Sequence, residues 1–293
     1  MVIAHRGDSF HAPENTLEAA LKAHASGAFA WELDVHLSRD GVPVVMHDES
    51  LLRTTDVATR FADDPRAEGG FQVSEFDWAE IQTLDAGSWF IDDSRPQRSA
   101  ASFGTLAQLT HEDRLLFGSG RIQVPSLQKA LRLTCDLDWL LNVELKNFPS
   151  RNPRLLREVL DAIDETHSTD RVLLSSFDHN DIALAVQLRP DLATAVLTET
   201  PLARPSRYSR EIVGADFLHL SAAAMGAESL RYRNRPSPAN LRQEDEPTPL
   251  PKLVYTVNDL RPNGLAAHLA SVGIAGVFSD DPAGLVQLWT SSN

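Results

Sequence analysis

The sequence predicts an α/β fold in which strand–helix units close into a (β/α)8 TIM-type barrel with a small inserted subdomain. Short apolar, β-branched segments alternate with longer amphipathic or alanine-rich segments, as expected for parallel strands joined by helices. About eight or nine strand segments are present, and the 293 residues suit a single barrel of about 250 residues with insertions. An open, doubly wound sheet has the same periodicity and remains the alternative.

Each predicted element follows from its local residue pattern. In chain order, the strand segments are 2–5, 31–37, 42–47, 139–146, 171–177, 193–198, 217–220, 253–257 and 276–279. The helical segments that separate most of them are 16–26, 126–134, 153–166, 181–189 and 262–272. The regular succession of the two kinds of segment favours a mainly parallel sheet flanked by helices.

The connection between the second and third strand segments departs from a regular barrel. Only residues 38–41 separate these segments, whereas a parallel crossover needs a dozen or more residues. The Asp-Gly pair at 40–41 is a turn signal. We therefore expect a tight hairpin centred near residues 39–40, in which Glu32 would lie opposite His47.

Residues 48–124 form a second departure, because they contain patches rich in Pro, Gly and Ser and few strand signals. A structureless loop of this length is improbable in a compact domain. We therefore expect a small inserted subdomain at 48–124 within one barrel domain that spans 1–293. Residues 92–123 make this insert long, and residues 231–251, with five prolines, predict a surface loop.

The composition argues against several partners and structural features. The chain has 27 basic and 41 acidic residues, and a formal net charge of −14 repels nucleic acid and anionic membranes. Cys135 is the only cysteine, so an internal disulfide is excluded. No apolar stretch is long enough for a membrane span, and the first residues lack a signal-peptide pattern, so a cytoplasmic location is expected. The oligomeric state is not indicated.

Ionisable residues gather near the ends of the predicted strands. Residues two apart on a strand point to the same face, which applies to the carboxylates of the second strand segment. Because the carboxyl ends of barrel strands meet at one mouth, where active sites lie, we expect these side chains to share one cleft. The seven residues are His5, Arg6, Glu32, Asp34, His47, Glu144 and Lys146.

The three carboxylates in this set predict a divalent cation site. Buried carboxylates are costly unless they are paired or bind a metal, and Glu32, Asp34 and Glu144 would repel one another without a cation. Oxygen ligands suit Mg²⁺ or Ca²⁺, with Mn²⁺ as a third option, better than Zn²⁺. Arg6 and Lys146 are candidates for binding phosphate oxygens.

The two histidines complete a set that fits phosphodiester cleavage. His5 and His47 are suited to act as general base and general acid on opposite sides of a scissile bond. The cation offers a Lewis acid to a phosphoryl oxygen. The set of two proton-transfer groups, a divalent ion and cationic side chains therefore predicts an active site that cleaves a small-molecule phosphodiester.

Ordered motifs along nearly the whole chain resemble the glycerophosphodiester phosphodiesterase family. The motifs of the first 55 residues are Ile3-Ala4-His5-Arg6-Gly7, Ala12-Pro13-Glu14-Asn15-Thr16, Glu32-Leu33-Asp34-Val35, Asp40-Gly41-Val42-Pro43-Val44-Val45-Met46-His47-Asp48 and Leu52-Arg53-Thr54-Thr55. The later motifs are Leu84-Asp85-Ala86-Gly87-Ser88-Trp89-Phe90, Val124-Pro125-Ser126-Leu127, Val143-Glu144-Leu145-Lys146, Ser176-Phe177, Thr256-Val257-Asn258 and Gly276-Val277-Phe278-Ser279-Asp280. Their order and spacing make the resemblance specific.

The resemblance implies a barrel of the phospholipase-C-like phosphodiesterase kind, with a cap subdomain at 48–124. It also implies hydrolysis of glycerophosphodiesters to an alcohol and sn-glycerol 3-phosphate, and a route through a cyclic phosphate is a hypothesis. The implied site residues are the metal ligands Glu32, Asp34 and Glu144, the acid/base pair His5 and His47, and Arg6 near the phosphate. The alcohol group is not identified.

Four further residues are candidates for supporting the ligands or lining the pocket, namely Asn15, Trp89, Phe177 and Tyr255. Asn15 with Glu18 also fits a helix cap. Trp89 also fits the core of the insert, and Tyr255 stands where the family usually has Trp. His36 falls on the same strand face as Asp34 by alternation and has no assigned role.

Three other functions stay open. A related phosphodiesterase would act on lysophospholipid or sphingolipid head groups, or would stop at a cyclic product. A catalytically inactive barrel would bind a phosphodiester, but the intact His5 and His47 pair disfavours it, because a binder would not need both proton-transfer groups. A zinc-dependent amide hydrolase is disfavoured because a His-rich ligand set is absent from the sequence motifs.

Overall fold

The structure is a computed structural model and describes residues 1–92, 94, 106–147, 151–200, 202, 204–222, 250–261 and 264–290. Most of the predicted surface loop at 231–251 lies outside these residues, as does the stretch 95–105 of the predicted insert. Across the described ranges, no helix is long and apolar enough to cross a membrane.

Within the described ranges, nine strands form one closed sheet. They are β1 (Val2–Ala4), β2 (Ala30–Leu37), β3 (Pro43–Val45), β4 (Leu141–Leu145), β5 (Val172–Ser176), β6 (Ala193–Thr198), β7 (Phe217–Ser221), β8 (Lys252–Tyr255) and β9 (Gly276–Ser279). The order is β1-β9-β8-β7-β6-β5-β4-β2-β3, and β1 also pairs with β2. Eight parallel strands therefore close a barrel, with β3 antiparallel on β2, and the predicted TIM-type fold is confirmed.

Helices connect the strands and surround the barrel. They are α1 (Leu17–Ala25), α2 (Val57–Arg60), α3 (Trp78–Ile81), α4 (His111–Phe117), α5 (Leu127–Asp136), α6 (Leu155–Glu165), α7 (His179–Leu188), α8 (Pro205–Arg207), α9 (Leu265–Ser271) and α10 (Pro282–Thr290). A π-helical turn, Tyr208–Val213, continues α8. Short 3-10 turns are Pro65–Ala67, Val73–Glu75, Ser88–Ile91, Leu106–Gln108 and Thr169–Arg171.

The hairpin between β2 and β3 is present, but its predicted register is wrong by one residue. His36 lies opposite Val44, one position away from the register of a two-residue turn. The loop has three residues, because Ser38 N–H donates to the Val42 carbonyl at 3.0 Å. Gly41 supplies the extra residue with φ of 91°, a conformation that glycine adopts without strain.

The wall around β2 is packed by two tryptophans. The rings of Trp31 and Trp139 are stacked, with centroids 6.2 Å apart. The Trp31 indole N–H donates to the Thr134 hydroxyl at 2.9 Å, and that of Trp139 donates to the Ala28 carbonyl at 2.9 Å. Each buried indole thus keeps a hydrogen-bond partner, and the large rings hold the strand that carries two of the predicted ligands.

The described part of residues 48–124 folds around an apolar cluster of its own. The cluster contains Phe76, Phe90 and Phe117, which are almost completely buried. It also includes Val44 and Met46, so this segment packs on β3 and on the chain that leaves it. Whether the segment is a separate subdomain with boundaries at 48 and 124 stays a prediction.

Candidate active site

The predicted mouth residues come from neighbouring strands. His5 and Arg6 directly follow β1, and the second strand carries both of its predicted carboxylates. Asp34 pairs with Glu144 across β2 and β4, which places the two side chains side by side. Strand alternation and barrel closure therefore bring together residues that are far apart in the sequence.

Glu32, Asp34 and Glu144 form a compact group of buried carboxylates. Each offers one oxygen, and the three oxygens lie within 4.8 Å of one another. The Glu32 Oε1 atom is buried and has no hydrogen-bond partner within the described residues. Three hard oxygen donors and one orphaned acceptor fit a divalent cation such as Mg²⁺ or Ca²⁺.

The carboxylates of this group differ in how firmly they hold a proton. Burial and the neighbouring Asp34 charge raise the pKa of Glu32 to about 8. Burial also acts to raise the pKa of Asp34, but the charges of His47, Lys146 and Arg6 outweigh it and hold this pKa well below its ordinary value. Without a cation, the group therefore tends to keep a proton at neutral pH.

Arg6 lies between the carboxylates and a second acidic residue. Its backbone N–H donates to Glu32 Oε2 at 2.8 Å, and its Nη1 donates to Glu14 Oε1 at 2.9 Å. Its Nε lies 3.2 Å from Asp34 Oδ2. The backbone of Arg6 has φ of 58°, an uncommon conformation outside glycine that directs both the N–H and the side chain to this site.

Lys146 borders the same group from the end of β4. Its Nζ donates to Glu144 Oε1 at 2.8 Å and lies 3.5 Å from Asp34 Oδ1. The structure therefore brings both predicted phosphate-binding cations, Arg6 and Lys146, to the carboxylates. The surrounding negative charges outweigh the effect of burial and raise the pKa of Lys146 above its ordinary value.

His5 is held by a carboxylate that the sequence analysis did not assign a role. Its Nδ1 lies 2.6 Å from Asp280 Oδ1, and its Nε2 lies 4.0 Å from Glu32 Oε2. Asp280 also accepts hydrogen bonds from Asn258 Nδ2 at 2.6 Å and from the Ser9 hydroxyl at 3.2 Å. Asp280 therefore fixes the ring so that Nε2 faces the carboxylate group.

Electrostatic interactions keep His5 and Asp280 polarised. Burial and the Arg6 charge act to lower the pKa of His5. The hydrogen bond and charge of Asp280, together with the charge of Glu32, outweigh these effects, so the pKa of His5 lies above its ordinary value. Burial acts to raise the pKa of Asp280, and the His5 charge and hydrogen bond lower it below its ordinary value. Asp280 is therefore an ionised acceptor for Nδ1–H.

His47 is held in a different environment. Its Nδ1 lies 2.6 Å from Asp48 Oδ1, and Arg53 donates to both oxygens of Asp48 at 2.6 and 3.0 Å. Arg53 also donates to both oxygens of Glu14 at 2.7 Å. The His36 ring, through Nε2, donates to the His47 carbonyl at 3.0 Å. His36 thus holds the backbone of His47.

Asn15 contacts a predicted ligand directly. Its Nδ2 donates to Asp34 Oδ2 at 2.9 Å, and its Oδ1 accepts from the Asp34 backbone N–H at 3.2 Å. The helix-cap interpretation of Asn15 is wrong, because Thr16 caps α1 by accepting from the Ala19 N–H. The side chain of Asn15 is therefore available to orient Asp34.

The three predicted aromatic candidates occupy different environments. Trp89 is only 2% exposed and its indole donates to the Ala86 carbonyl at 2.9 Å, so it lies in the core of the 48–124 segment. Phe177 directly follows β5, and Tyr255 is the last residue of β8. Their rings meet edge-on with centroids 6.1 Å apart. These two half-buried rings lie at the mouth.

A closed parallel barrel with buried carboxylates and polarised histidines at its mouth defines the chain as a barrel enzyme. A model of the Glycerophosphoryl diester phosphodiesterase family matches residues 5–284. The chain therefore belongs to the glycerophosphoryl diester phosphodiesterase family. The resemblance inferred from the sequence motifs is confirmed.

Similar proteins cover nearly the whole chain. YqiK of Bacillus subtilis is 31% identical over 96% of this chain and 95% of its own length. A glycerophosphodiester phosphodiesterase of Caldanaerobacter subterraneus is 27% identical over 98% and 97%. An Oleispira antarctica phosphodiesterase, solved with the product sn-glycerol-3-phosphate, shares the fold with a TM-score of 0.71 at 24% identity, over 99% and 96% of the two chains.

Proposed function

We propose that the protein hydrolyses glycerophosphodiesters to an alcohol and sn-glycerol 3-phosphate, and that it requires a divalent cation. The observation that carries this proposal is the group of three carboxylate oxygens within 4.8 Å, next to a histidine that a carboxylate holds. The family, the name of the Caldanaerobacter relative and the product bound to the Oleispira structure support the substrate class.

Glu32, Asp34 and Glu144 would hold the cation. A divalent cation fits their buried oxygens and the orphaned Oε1 of Glu32. It would also offset the mutual repulsion of the three charges. When bound, the cation supplies a Lewis acid for a phosphoryl oxygen. Mg²⁺, Ca²⁺ and Mn²⁺ all suit the oxygen donors, and the assay with each ion separates them.

His5 and His47 are the proposed pair for proton transfer. Asp280 holds His5 through Nδ1, which leaves Nε2 towards the carboxylate group, and Asp48 holds His47 in the same way. One imidazole takes the proton of the attacking hydroxyl and the other gives a proton to the oxygen of the leaving alcohol. The protonation states are restored when these two protons are exchanged with solvent.

Arg6 and Lys146 are the proposed contacts of the phosphate. Both side chains border the carboxylate group, and each contacts Asp34 from a different side. Their charges would offset those of the phosphate oxygens and stabilise the charge that develops in the transition state. Residues 48–124 would form the cap on one side of the mouth, because Arg53 from this segment bonds Glu14.

The attacking hydroxyl is either water or the 2-hydroxyl of the glycerol. Attack by the 2-hydroxyl would form a cyclic phosphate that water then opens. A substrate without this hydroxyl should then be inert, and phosphorus NMR should show the cyclic species early in the reaction. Direct attack by water predicts turnover of both substrates with no cyclic species.

The function is tested by release of sn-glycerol 3-phosphate from glycerophosphocholine and glycerophosphoethanolamine, with Mg²⁺, Ca²⁺ or Mn²⁺ and with chelator. We expect release only with metal, and a loss of about 10²- to 10⁴-fold in His5→Ala. His111→Ala, which changes an exposed histidine at the start of α4, is the matched control. Absence of release by folded, metal-loaded protein would favour a lipid head-group substrate or an inactive binding barrel.

A further inference from the structure

We propose that the mouth contains a subsite for a cationic head group, formed by Phe177, Tyr255 and Glu199. The enzyme would then prefer glycerophosphodiesters whose alcohol carries a primary or quaternary ammonium group over those with a neutral alcohol. This inference rests on the proposed function and adds the head-group class and the residues that select it.

The three residues lie on the part of the mouth that follows the strands of the proposed cation site. The proposed cation ligands are on β2 and β4, and β5, β6, β7 and β8 follow β4 around the barrel. Phe177 follows β5, Glu199 follows β6 and Tyr255 ends β8. Because all three strand ends face the same mouth, a substrate that places its phosphate at the carboxylates extends one end towards these residues.

The aromatic part of the subsite is preformed. The Phe177 and Tyr255 rings meet edge-on at an interplanar angle of 87°, and both side chains are half-buried. The Tyr255 hydroxyl oxygen is buried and has no hydrogen-bond partner in the part of the chain that the structure describes. Aromatic faces attract ammonium groups, including quaternary ones, through the quadrupole of the ring.

Glu199 adds a negative charge at the same end of the barrel, one residue after β6. It is exposed, and the described residues provide its carboxylate with no hydrogen bond or ion pair. The turn that carries it is fixed, because the Thr198 hydroxyl donates to the Thr200 carbonyl at 2.7 Å and accepts from the Thr200 N–H at 3.2 Å. Glu199 is therefore a carboxylate on a fixed turn, and no cationic side chain among the described residues bonds it.

Electrostatics support the proximity of the ring and the carboxylate. Burial, then the charges of Glu199 and Glu144, raise the pKa of the Tyr255 hydroxyl above its ordinary value. The Tyr255 hydroxyl is thus within reach of the negative charges of Glu144, at the proposed cation site, and of Glu199, which follows β6. A substrate whose phosphate lies near Glu144 would extend past this ring towards Glu199.

A cationic head group fits these features better than the alternatives. An ammonium group gains attraction both from the ring faces and from the Glu199 carboxylate. A neutral polyol would gain hydrogen bonds alone, and an anionic alcohol would be repelled by Glu199. The net charge of −14 also favours the approach of the cationic end of a substrate.

Binding is measured first without turnover. Metal-free protein in chelator is titrated with tetramethylammonium chloride, and saturation-transfer NMR follows the methyl protons. We expect binding to wild type and an affinity about fivefold lower in Glu199→Gln. Asp170→Asn is the matched control, because Asp170 is an exposed carboxylate in the 3-10 turn before β5, at the opposite end of that strand.

Selectivity is measured second, as kcat/KM for glycerophosphocholine divided by kcat/KM for glycerophosphoglycerol. We expect this ratio to fall about fivefold in Glu199→Gln and in Tyr255→Leu, and to hold in Tyr255→Phe, which keeps the ring. Asp170→Asn should keep the wild-type ratio. An unchanged ratio in Glu199→Gln, together with unchanged ammonium binding, would overturn the subsite.

The two measurements separate this subsite from the proposed function. Loss of tetramethylammonium binding in Glu199→Gln, in a protein that hydrolyses no glycerophosphodiester, would support the subsite and contradict the proposed reaction. Hydrolysis with the same ratio and the same binding in wild type and Glu199→Gln would support the reaction and contradict the subsite.

Discussion

Each proposed catalytic histidine contacts a carboxylate, but the two carboxylates have different partners. Asp280 accepts hydrogen bonds from the neutral side chains of Asn258 and Ser9. Among the described residues, His5 is therefore the only hydrogen-bond partner that can offset its charge. Asp48 receives a bidentate contact from Arg53. The His5 pair is therefore more dependent on its single carboxylate for orientation.

The substitution Asp280→Asn tests this dependence. The amide side chain would still fill the space but would lack the charge that holds Nδ1–H, so we expect kcat to fall about 100-fold with a smaller change in KM. Nitrogen NMR of the His5 ring should show a changed tautomer in the metal-free protein. Asp8→Asn removes an equivalent pair, because Asp8 Oδ1 lies 2.9 Å from His11 Nδ1, and should change kcat far less.

A second prediction at this scale concerns pH. The pKa of Glu32 is raised from an ordinary 4.5 to about 8, so the folded protein binds this proton more tightly than the unfolded chain does. The contribution of this proton to the free energy of unfolding is therefore fully present below about pH 4.5 and is lost as the pH rises towards 8. In chelator, we expect Tm to fall over this range in wild type and to fall less in Glu32→Gln.

Added cation gives the complementary measurement. At pH 8 a bound divalent ion replaces the proton, so it should raise the Tm of wild type by several degrees and leave Glu32→Gln nearly unchanged. An equal shift in both proteins would place the ion elsewhere. The same fall of Tm with pH in both proteins would show that Glu32 does not control it.

The mouth residues could be predicted because each lies on or beside an apolar strand with two-residue alternation. Asp280 could not be assigned a role, because its contact with His5 joins positions 275 residues apart and exists only when the barrel closes. The link from Arg53 to Glu14 was missed for a related reason. It depends on how the segment after β3 packs, which the residue pattern does not encode.

The turn from β1 to α1 determines where His5 and Arg6 lie. Gly7 has φ of 81°, and a Cβ at this position would lie 2.6 Å from the backbone carbonyl carbon of Ala19. The helix therefore packs directly on the turn, with the Asp8 N–H donating to the Ala19 carbonyl at 2.9 Å. A side chain at Gly7 would have to displace the helix or the turn.

We expect Gly7→Ala to lower the free energy of unfolding by about 2–4 kcal/mol, because it adds backbone strain and a clash with main-chain atoms. Urea denaturation measures this loss. Gly120→Ala is the matched control, since Gly120 has φ of 70° and no heavy atom lies within 4 Å of a Cβ there. Equal losses in both variants would show that the contact with α1 is unimportant.

The regular elements could be predicted closely because their apolar periods are clear, as for β6 and β9, whose observed bounds match the predicted ones. The helices α2 and α3 could not, because each has four residues and a helix this short depends on packing rather than propensity. The hairpin register required the conformation of Gly41, which an Asp-Gly pair alone does not determine.

At the scale of the whole molecule, closure of the barrel creates the proposed site. β1 pairs with β9 on one side and β2 on the other, so His5 meets both Asp280 and the Glu32 carboxylate. Length and strand count predicted this closure against an open sheet, in which the first and last strands would not pair. The outline of the 48–124 segment stays a prediction.

The most direct test is a titration of metal-free protein with Mg²⁺, Ca²⁺ or Mn²⁺. Calorimetry measures the binding of the ion, and release of sn-glycerol 3-phosphate measures activity at each step. We predict a single ion per chain, release that returns with the same midpoint as binding, and loss of both in Asp34→Asn. Full release from protein that binds no ion, or unchanged binding and release in Asp34→Asn, would contradict the proposed cation-dependent hydrolysis.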